Sequence, residues 1–393
     1  MQKINLKENR AFCILPFIHL HINENNDVKP CCIGDKIGST KYTKDFDFNT
    51  NIELQEIRQK MLAGERVATC TECYKLEDAG TYSSRSRETD DWVKKLKLEY
   101  FDDIKPQLVY YDIRNDNLCN LSCRMCSPQF STQLEKEFKK IGWQYPIFPK
   151  TTSLVDTIDL TTAQKVYVAG GEPSLMPSFR EFLVRAIDSG RTDIEIRMNT
   201  NATNLNKEYR DLLKHFSNVH IIVSLEGYDK INKYIRWPAD WETLIENIHG
   251  LYTVTPNIAF NITVGIWNIS NLSQLVLFLE QEFPNCGTIL LNKIYNPDSQ
   301  IFTTFPNKEV ALKDLELLKL SKFYQKYVFQ SKVDYYIKEI KNSSIDLEAL
   351  KNFFKFNDAL DQSRNVKLID YIPELEACRS YITKQISVQT QSH

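Results

Sequence analysis

Hydrophobic and polar positions change period in a regular way through the middle of the chain. "QLVYYDIR" (107–114) is β-branched and aromatic and reads as a strand. A polar, cysteine-bearing loop follows, then "FSTQLEKEFKKIG" (130–142) with helical spacing. The same alternation recurs. Strands are expected at "KVYVAGG" (165–171), "DIEIRMNTN" (193–201), "NVHIIVSLEG" (218–227), "NIAFNITVGI" (257–266) and "TILLNKI" (288–294). Helices are expected at 177–190, 206–216, 241–254 and 271–283. Strands alternating with helices predict a parallel sheet, either doubly wound or closed toward a barrel. In both, ligands bind at the carboxyl ends of the strands. Cys119–Cys126, Gly170–Pro173, Asn199–Asn201 and Ser224–Gly227 fall at those ends, so one mouth collects the unusual residues.

The flanks differ. "CILPFIHLHINENNDVKPCC" (13–32) alternates, turns at a polar "NENND" and alternates again, which predicts a β-hairpin; 51–64 predicts a helix. Amphipathic helices are expected at 307–329 and 345–364, covering or lining the middle region, and the last dozen residues read as frayed.

With 393 residues there is room for more than one domain. A net charge of −2 gives no electrostatic case for a nucleic-acid partner, and no stretch is apolar enough to span a membrane. The polar beginning lacks a signal-peptide core, so the expectation is a cytoplasmic chain. In that compartment the ten cysteines point to metal or redox chemistry rather than disulfides. Cys286 and Cys378 stand alone and read as buried apolar side chains.

"NLCNLSCRMC" (117–126) places Cys119, Cys123 and Cys126 at C-x-x-x-C-x-x-C spacing on a loop. Structural zinc needs four protein ligands. Three thiolates on a four-iron cluster leave one iron open to a ligand. "AGGEP" (169–173) ends the next strand. Its glycines admit close backbone approach and Glu172 adds an acceptor, which suits a ligand with an ammonium group rather than a phosphate.

Taken together, these motifs resemble the radical S-adenosylmethionine (radical SAM) enzymes over roughly residues 105–295. The resemblance implies a partial (β/α)6 TIM-like barrel of the α/β class. It implies a [4Fe–4S] cluster on Cys119, Cys123 and Cys126, and S-adenosylmethionine on its open iron. Reductive cleavage of that cofactor then yields a 5′-deoxyadenosyl radical that abstracts hydrogen from a substrate. By the same resemblance Gly170, Gly171, Glu172 and Pro173 hold the methionine amino group. Asn199, Thr200, Ser224 and Glu226 contact carboxylate or ribose, Arg236 is a carboxylate clamp, and Met125 offers backbone groups to adenine. Relatives usually have an aromatic residue at the position of Met125 and often Asp at that of Glu226.

Cys13, one of Cys31 or Cys32, Cys70 and Cys73 form a second, four-thiolate set, which by ligand type accepts zinc or iron–sulfur. It resembles the twitch or SPASM half-domain that carries an auxiliary [4Fe–4S] cluster, although that module usually follows the barrel. The resemblance favours Cys31 over Cys32. His19 and His21, on one face of one strand, read as polar residues of a small sheet.

The expected organisation is an auxiliary-cluster domain at 1–90, a barrel at 100–300 and a helical extension at 301–393. The expected activity is that of a radical SAM oxidoreductase served by a donor such as flavodoxin or ferredoxin. A peptide or protein side chain is the first substrate class and a sugar or small metabolite the second. An iron–sulfur electron carrier without catalysis is the third reading, disfavoured because a carrier needs no nucleotide pocket.

Overall fold

The structure is a computed structural model that describes residues 9–23, 27–39, 46–78, 80, 82–98, 104–114, 117–146, 155 and 158–382. The centre of the NENND turn and the last eleven residues lie outside this set. The chain divides into two compact units, 1–117 with 147–198 and 212–219, and 118–146 with 199–211 and 220–393.

In the first unit, strands β1 (His19–Ile22), β2 (Asp27–Lys29) and β3 (Gly38–Ser39) are antiparallel neighbours. β1 also pairs in parallel with β4 (Tyr110–Ile113), His19 opposite Tyr110. β4 pairs with β5 (Lys165–Val168), and β5 with β6 (Glu195–Thr200), both parallel. The hairpin expected near the amino terminus is therefore present, but it extends the parallel strands rather than forming a small sheet of its own. Its first strand is shorter than the sequence implied. Leu15–Ile18 is a helical turn with proline at its first positions, where a fixed φ suits a helix start.

In the second unit, β7 (Val219–Ser224), β8 (Ile258–Val264) and β9 (Thr288–Lys293) run parallel in chain order. Chain order without reversal is the order of a barrel wall; a doubly wound sheet reverses. The two faces agree with this. On β8, Ile258, Phe260, Ile262 and Val264 are buried while Ala259, Asn261 and Thr263 are half-buried. On β5 and β6, Val166, Val168, Ile196 and Met198 are buried, and Lys165, Tyr167, Glu195 and Arg197 occupy the other face. A sheet covered by helices on both sides would be apolar on both. One face here is kept polar, as a ligand-bearing interior requires.

The helices start where the sequence supplies caps. Ser131 accepts from the Leu134 amide at the head of Thr132–Ile141, and Gly142 ends that helix at φ 68°. Asp240 accepts from the Thr243 amide before Trp241–Leu251. The single helix expected over 307–329 is broken. Lys308–Leu317 and Tyr327–Asn342 are separate helices with 3-10 turns between them. The break falls at Ser321, whose hydroxyl and following amide are both satisfied by Glu280 rather than by a continuing helix. Leu347–Arg364 is helical as expected.

Candidate functional site

The loop after β4 carries the first cysteine set. Cys119, Leu121, Cys123 and Ala239 form one buried apolar cluster, with Cys126 packed against it. Burial pushes the Cys123 thiol up to about 12; Arg236 opposes this and Cys119 adds to it. Burial also raises Cys126, with Cys123 and Cys119 adding to it. Cys123 and Cys126, raised by burial and by the neighbouring thiols, are poor free thiolates. Metal binding resolves the conflict, because it replaces the protons with positive charge.

Positive charge is already built around them. Arg236 and Arg364 both favour the Cys123 thiolate. Arg236 Nη1 donates to Glu226 Oε2 at 2.6 Å, and its Nε is buried without a hydrogen-bond partner among the described residues. Glu226, 1% exposed, is thus engaged by an arginine, and its backbone is fixed by Asn232 and Asn268. Ser224, half-buried, ends β7 in register with Asn261. Asn199 is half-buried near the end of β6. Thr200 is buried, and its hydroxyl accepts from the Ala202 amide at 3.0 Å. Met125 is half-buried in the loop.

Two features of this unit were not singled out from the sequence. Asn201 Nδ2 points at Cys119 Sγ at 3.9 Å and donates to Asn120 Oδ1 at 2.9 Å, and the Leu121 amide donates to the same sulfur at 3.5 Å. The cysteine loop is also pinned from a distance. Arg124, fully buried, donates to Asp361 at 2.5 Å, to Asn357 Oδ1 at 2.8 Å and to the Tyr234 carbonyl at 2.8 Å. Arg364 donates to the Ser122 carbonyl at 2.7 Å and pairs with Glu137.

The first unit carries the remaining residues. Gly170 and Gly171 have φ of 83° and 45°. A Cβ on Gly170 would make only ordinary contact with Arg114, so it is the positive φ that favours glycine there. Glu172, 1% exposed, caps the turn Pro173–Leu175. Its Oε1 accepts from the Ser174 amide and hydroxyl, at 3.2 and 2.8 Å.

Cys13, Cys70 and Cys31 pack into one apolar core with Phe12, Tyr74 and Trp92. Burial raises all three thiols, and charge on the neighbours adds to it: Cys70 and Cys31 act on Cys13, Cys32, then Cys70 and Cys73, act on Cys31, and Cys73 acts on Cys70. Arg85 opposes the rise at Cys13 and Cys70, the second of which reaches about 12. The four thiols thus share one neighbourhood with a guanidinium beside it. Cys32 is exposed by surface area, and its strongest charged neighbours are Asp112 and Arg114, although it also acts on Cys31. Among the described residues no group of His, Cys, Asp or Glu closes round a single metal ion. A four-iron cluster is a wider body, ligated at separate corners.

The Radical SAM superfamily model matches residues 117–279, from the cysteine loop into the helix Leu272–Glu282. That span matches a radical SAM domain. Over 120 residues the chain is 29% identical to the sporulation killing factor maturation protein SkfB of Bacillus subtilis (strain 168), covering 30% of this chain and 27% of that one. The chain therefore spans about a quarter of the length of that curated relative. Among solved structures it is similar to Streptococcus suis SuiB bound to S-adenosylmethionine, with a TM-score of 0.35, 13% identity and coverage of 78% and 61% of the two chains. It is also similar to native anSMEcpe with bound AdoMet, with a TM-score of 0.37, 13% identity and coverage of 58% and 61%. No helix among the described residues is long and apolar enough to cross a membrane.

Proposed function

We propose that this chain is a radical SAM oxidoreductase that abstracts hydrogen from a peptide or protein side chain, with Cys13, Cys31, Cys70 and Cys73 holding an auxiliary [4Fe–4S] cluster. The observation that carries the reading is the gathering of Cys119, Cys123 and Cys126 in one buried, arginine-compensated set inside the radical SAM domain. When bound, a [4Fe–4S] cluster supplies one electron from a donor such as flavodoxin or ferredoxin, and S-adenosylmethionine supplies the 5′-deoxyadenosyl radical that takes up hydrogen.

The chain's own residues bind and orient. Cys119, Cys123 and Cys126 would bind as thiolates; Arg236 and Arg364 offset part of the cost of that charge at Cys123, and Arg236 at Cys126. The Leu121 amide and Asn201 donate toward the Cys119 sulfur and spread its charge. Gly170, Gly171 and Pro173 shape a turn that a larger residue could not adopt, and Glu172 places a carboxylate there for an ammonium group. Asn199, Thr200, Ser224 and the Arg236–Glu226 pair are the polar contacts for carboxylate and ribose, with Met125 offering backbone groups to adenine. Cys13, Cys31, Cys70 and Cys73 would hold a second cluster at all four corners; with no open position it would supply an electron outlet for substrate oxidation rather than a substrate site.

The peptide substrate is favoured by one observation, that the curated relative is named for maturation of a killing factor. Anaerobically reconstituted protein with dithionite should convert S-adenosylmethionine to 5′-deoxyadenosine, measured by chromatography, and Cys123→Ala should abolish the conversion. Full cleavage by that variant would overturn the assignment of the cysteine loop.

A further inference from the structure

The polar face of β4–β6 carries charge that the reading above does not use. His21, Asp112, Tyr167 and Arg197 stand in one cross-strand row, each in register with the next. Asp112 already has ion-pair partners, although its Oδ1 has no hydrogen bond among the described residues. Its carboxylate lies 3.0 Å from His21 Nδ1 and 3.3 Å from Arg114 Nη2, with His19 at 3.9 Å. One row further from the carboxyl ends, Glu195 serves two lysines, Lys165 at 3.2 Å and Lys95 at 3.3 Å. Arg87 and Glu88 pair with each other.

Arg197 is what remains. Its guanidinium carbon sits 5.2 Å from the centroid of the Tyr167 ring, and that of Arg114 sits 4.8 Å from the same centroid. Two cations therefore share one ring, and only Arg114 has a carboxylate. Among the described residues Arg197 has no ion-pair partner, and its Nε is buried without a hydrogen bond. A buried donor left without a partner is costly, more so on a charged group. Such a cost persists in a fold where a ligand removes it. A guanidinium presents parallel N–H groups that match a carboxylate bidentately, and a ring beneath it fixes the plane of the fork. Arg197 also lies two residues before Asn199, near the carboxyl end of its strand, where ligands of this architecture bind.

We propose that Arg197, seated on Tyr167, binds a carboxylate of the substrate. This rests on the peptide reading given above and narrows it to peptides with an Asp or Glu side chain or a free C-terminal carboxylate near the modified position. The cofactor's methionine carboxylate has the same chemistry, and the experiment separates the two.

Reconstituted holoenzyme with S-adenosylmethionine is titrated with N-acetyl-glutamyl amide and with N-acetyl-glutaminyl amide. Wild type should prefer the glutamyl probe by about tenfold, the range of a charge-assisted hydrogen bond. Arg197→Gln should erase the preference, and Arg197→Lys should reduce it to under about threefold, because an ammonium keeps the charge and loses the fork. No preference in wild type overturns the proposal. So does an unchanged preference in Arg197→Gln, or in Arg197→Lys should the glutamine variant not fold. Binding of S-adenosylmethionine and its decarboxylated analogue is measured alongside. If Arg197→Gln weakens only the former and spares the glutamyl preference, the carboxylate held is the cofactor's and the proposal falls. If butanoate binds as tightly as the glutamyl probe, in an Arg197-dependent way, the carboxylate site stands and the peptide reading falls alone.

Discussion

A hydrogen bond to a thiolate sulfur spreads its negative charge, so the donor influences how readily a cluster accepts an electron. Asn201 is such a donor toward Cys119, held in place by Asn120 and Thr203. Asn201→Ala should leave about the same iron content but make the reduction potential of the barrel cluster more negative, as read by a potentiometric titration followed by electron paramagnetic resonance. An unchanged potential would show that the contact carries no electronic weight. Cysteine spacing and the GGEP run were readable in the sequence because their residues are neighbours in the chain. The roles of Asn201 and Asn120 were not, since they depend on which way an amide side chain turns. His19 gives a prediction of another kind. Burial lowers its pKa from 6.5 to about 4, against the pull of Asp112 and its bond to the Pro30 carbonyl. The unfolded chain binds a proton that the folded one refuses. Stability is therefore complete above about pH 6.5 and declines as pH falls toward about 4, by about 3 kcal/mol from this group. Urea unfolding at pH 7 and pH 4.5 measures it, and His19→Asn should flatten the dependence.

Among elements, the helix Leu347–Arg364 has the least expected part. Its amphipathic pattern announced a helix, and it is one. Its task was illegible, because Arg124 and Asp361 are 237 residues apart in the chain and nothing local marks either as a partner. The same holds for the break at Ser321, where a carboxylate from a distant helix outcompetes helical periodicity. By contrast the strands from β4 to β9 were legible to within about three residues at each end, since each is a short apolar or alternating run bounded by polar loops. Breaking one partner of a buried charged pair leaves the other uncompensated, at about 3–5 kcal/mol. Arg124→Ala should therefore lower stability by about that amount and reduce the iron retained by the cysteine loop. Thermal unfolding and an iron assay read both. Normal iron with normal stability would mean that the helix merely packs against the loop.

For the whole molecule the decisive quantity is iron. Two four-iron clusters predict about eight irons per chain. Cys70→Ala/Cys73→Ala should keep about half, still cleave S-adenosylmethionine in the absence of substrate, and fail to release oxidised product. One zinc with four irons would remove the auxiliary cluster and leave the radical SAM domain in place. Product at the wild-type rate would remove the electron-outlet role. The pairing of His19–Ile22 with Tyr110–Ile113 bears on how such a protein is made. On the ribosome, a strand waits for a neighbour encoded about ninety residues later, roughly 5–20 s at ordinary elongation rates. During that interval Cys13, Cys31, Cys70 and Cys73 have all been synthesised while the sheet of their unit, within which they become buried or half-buried, is incomplete. Yield of intact protein should thus depend on the oxygen and thiol balance during translation itself, and anaerobic expression should matter more than anaerobic purification.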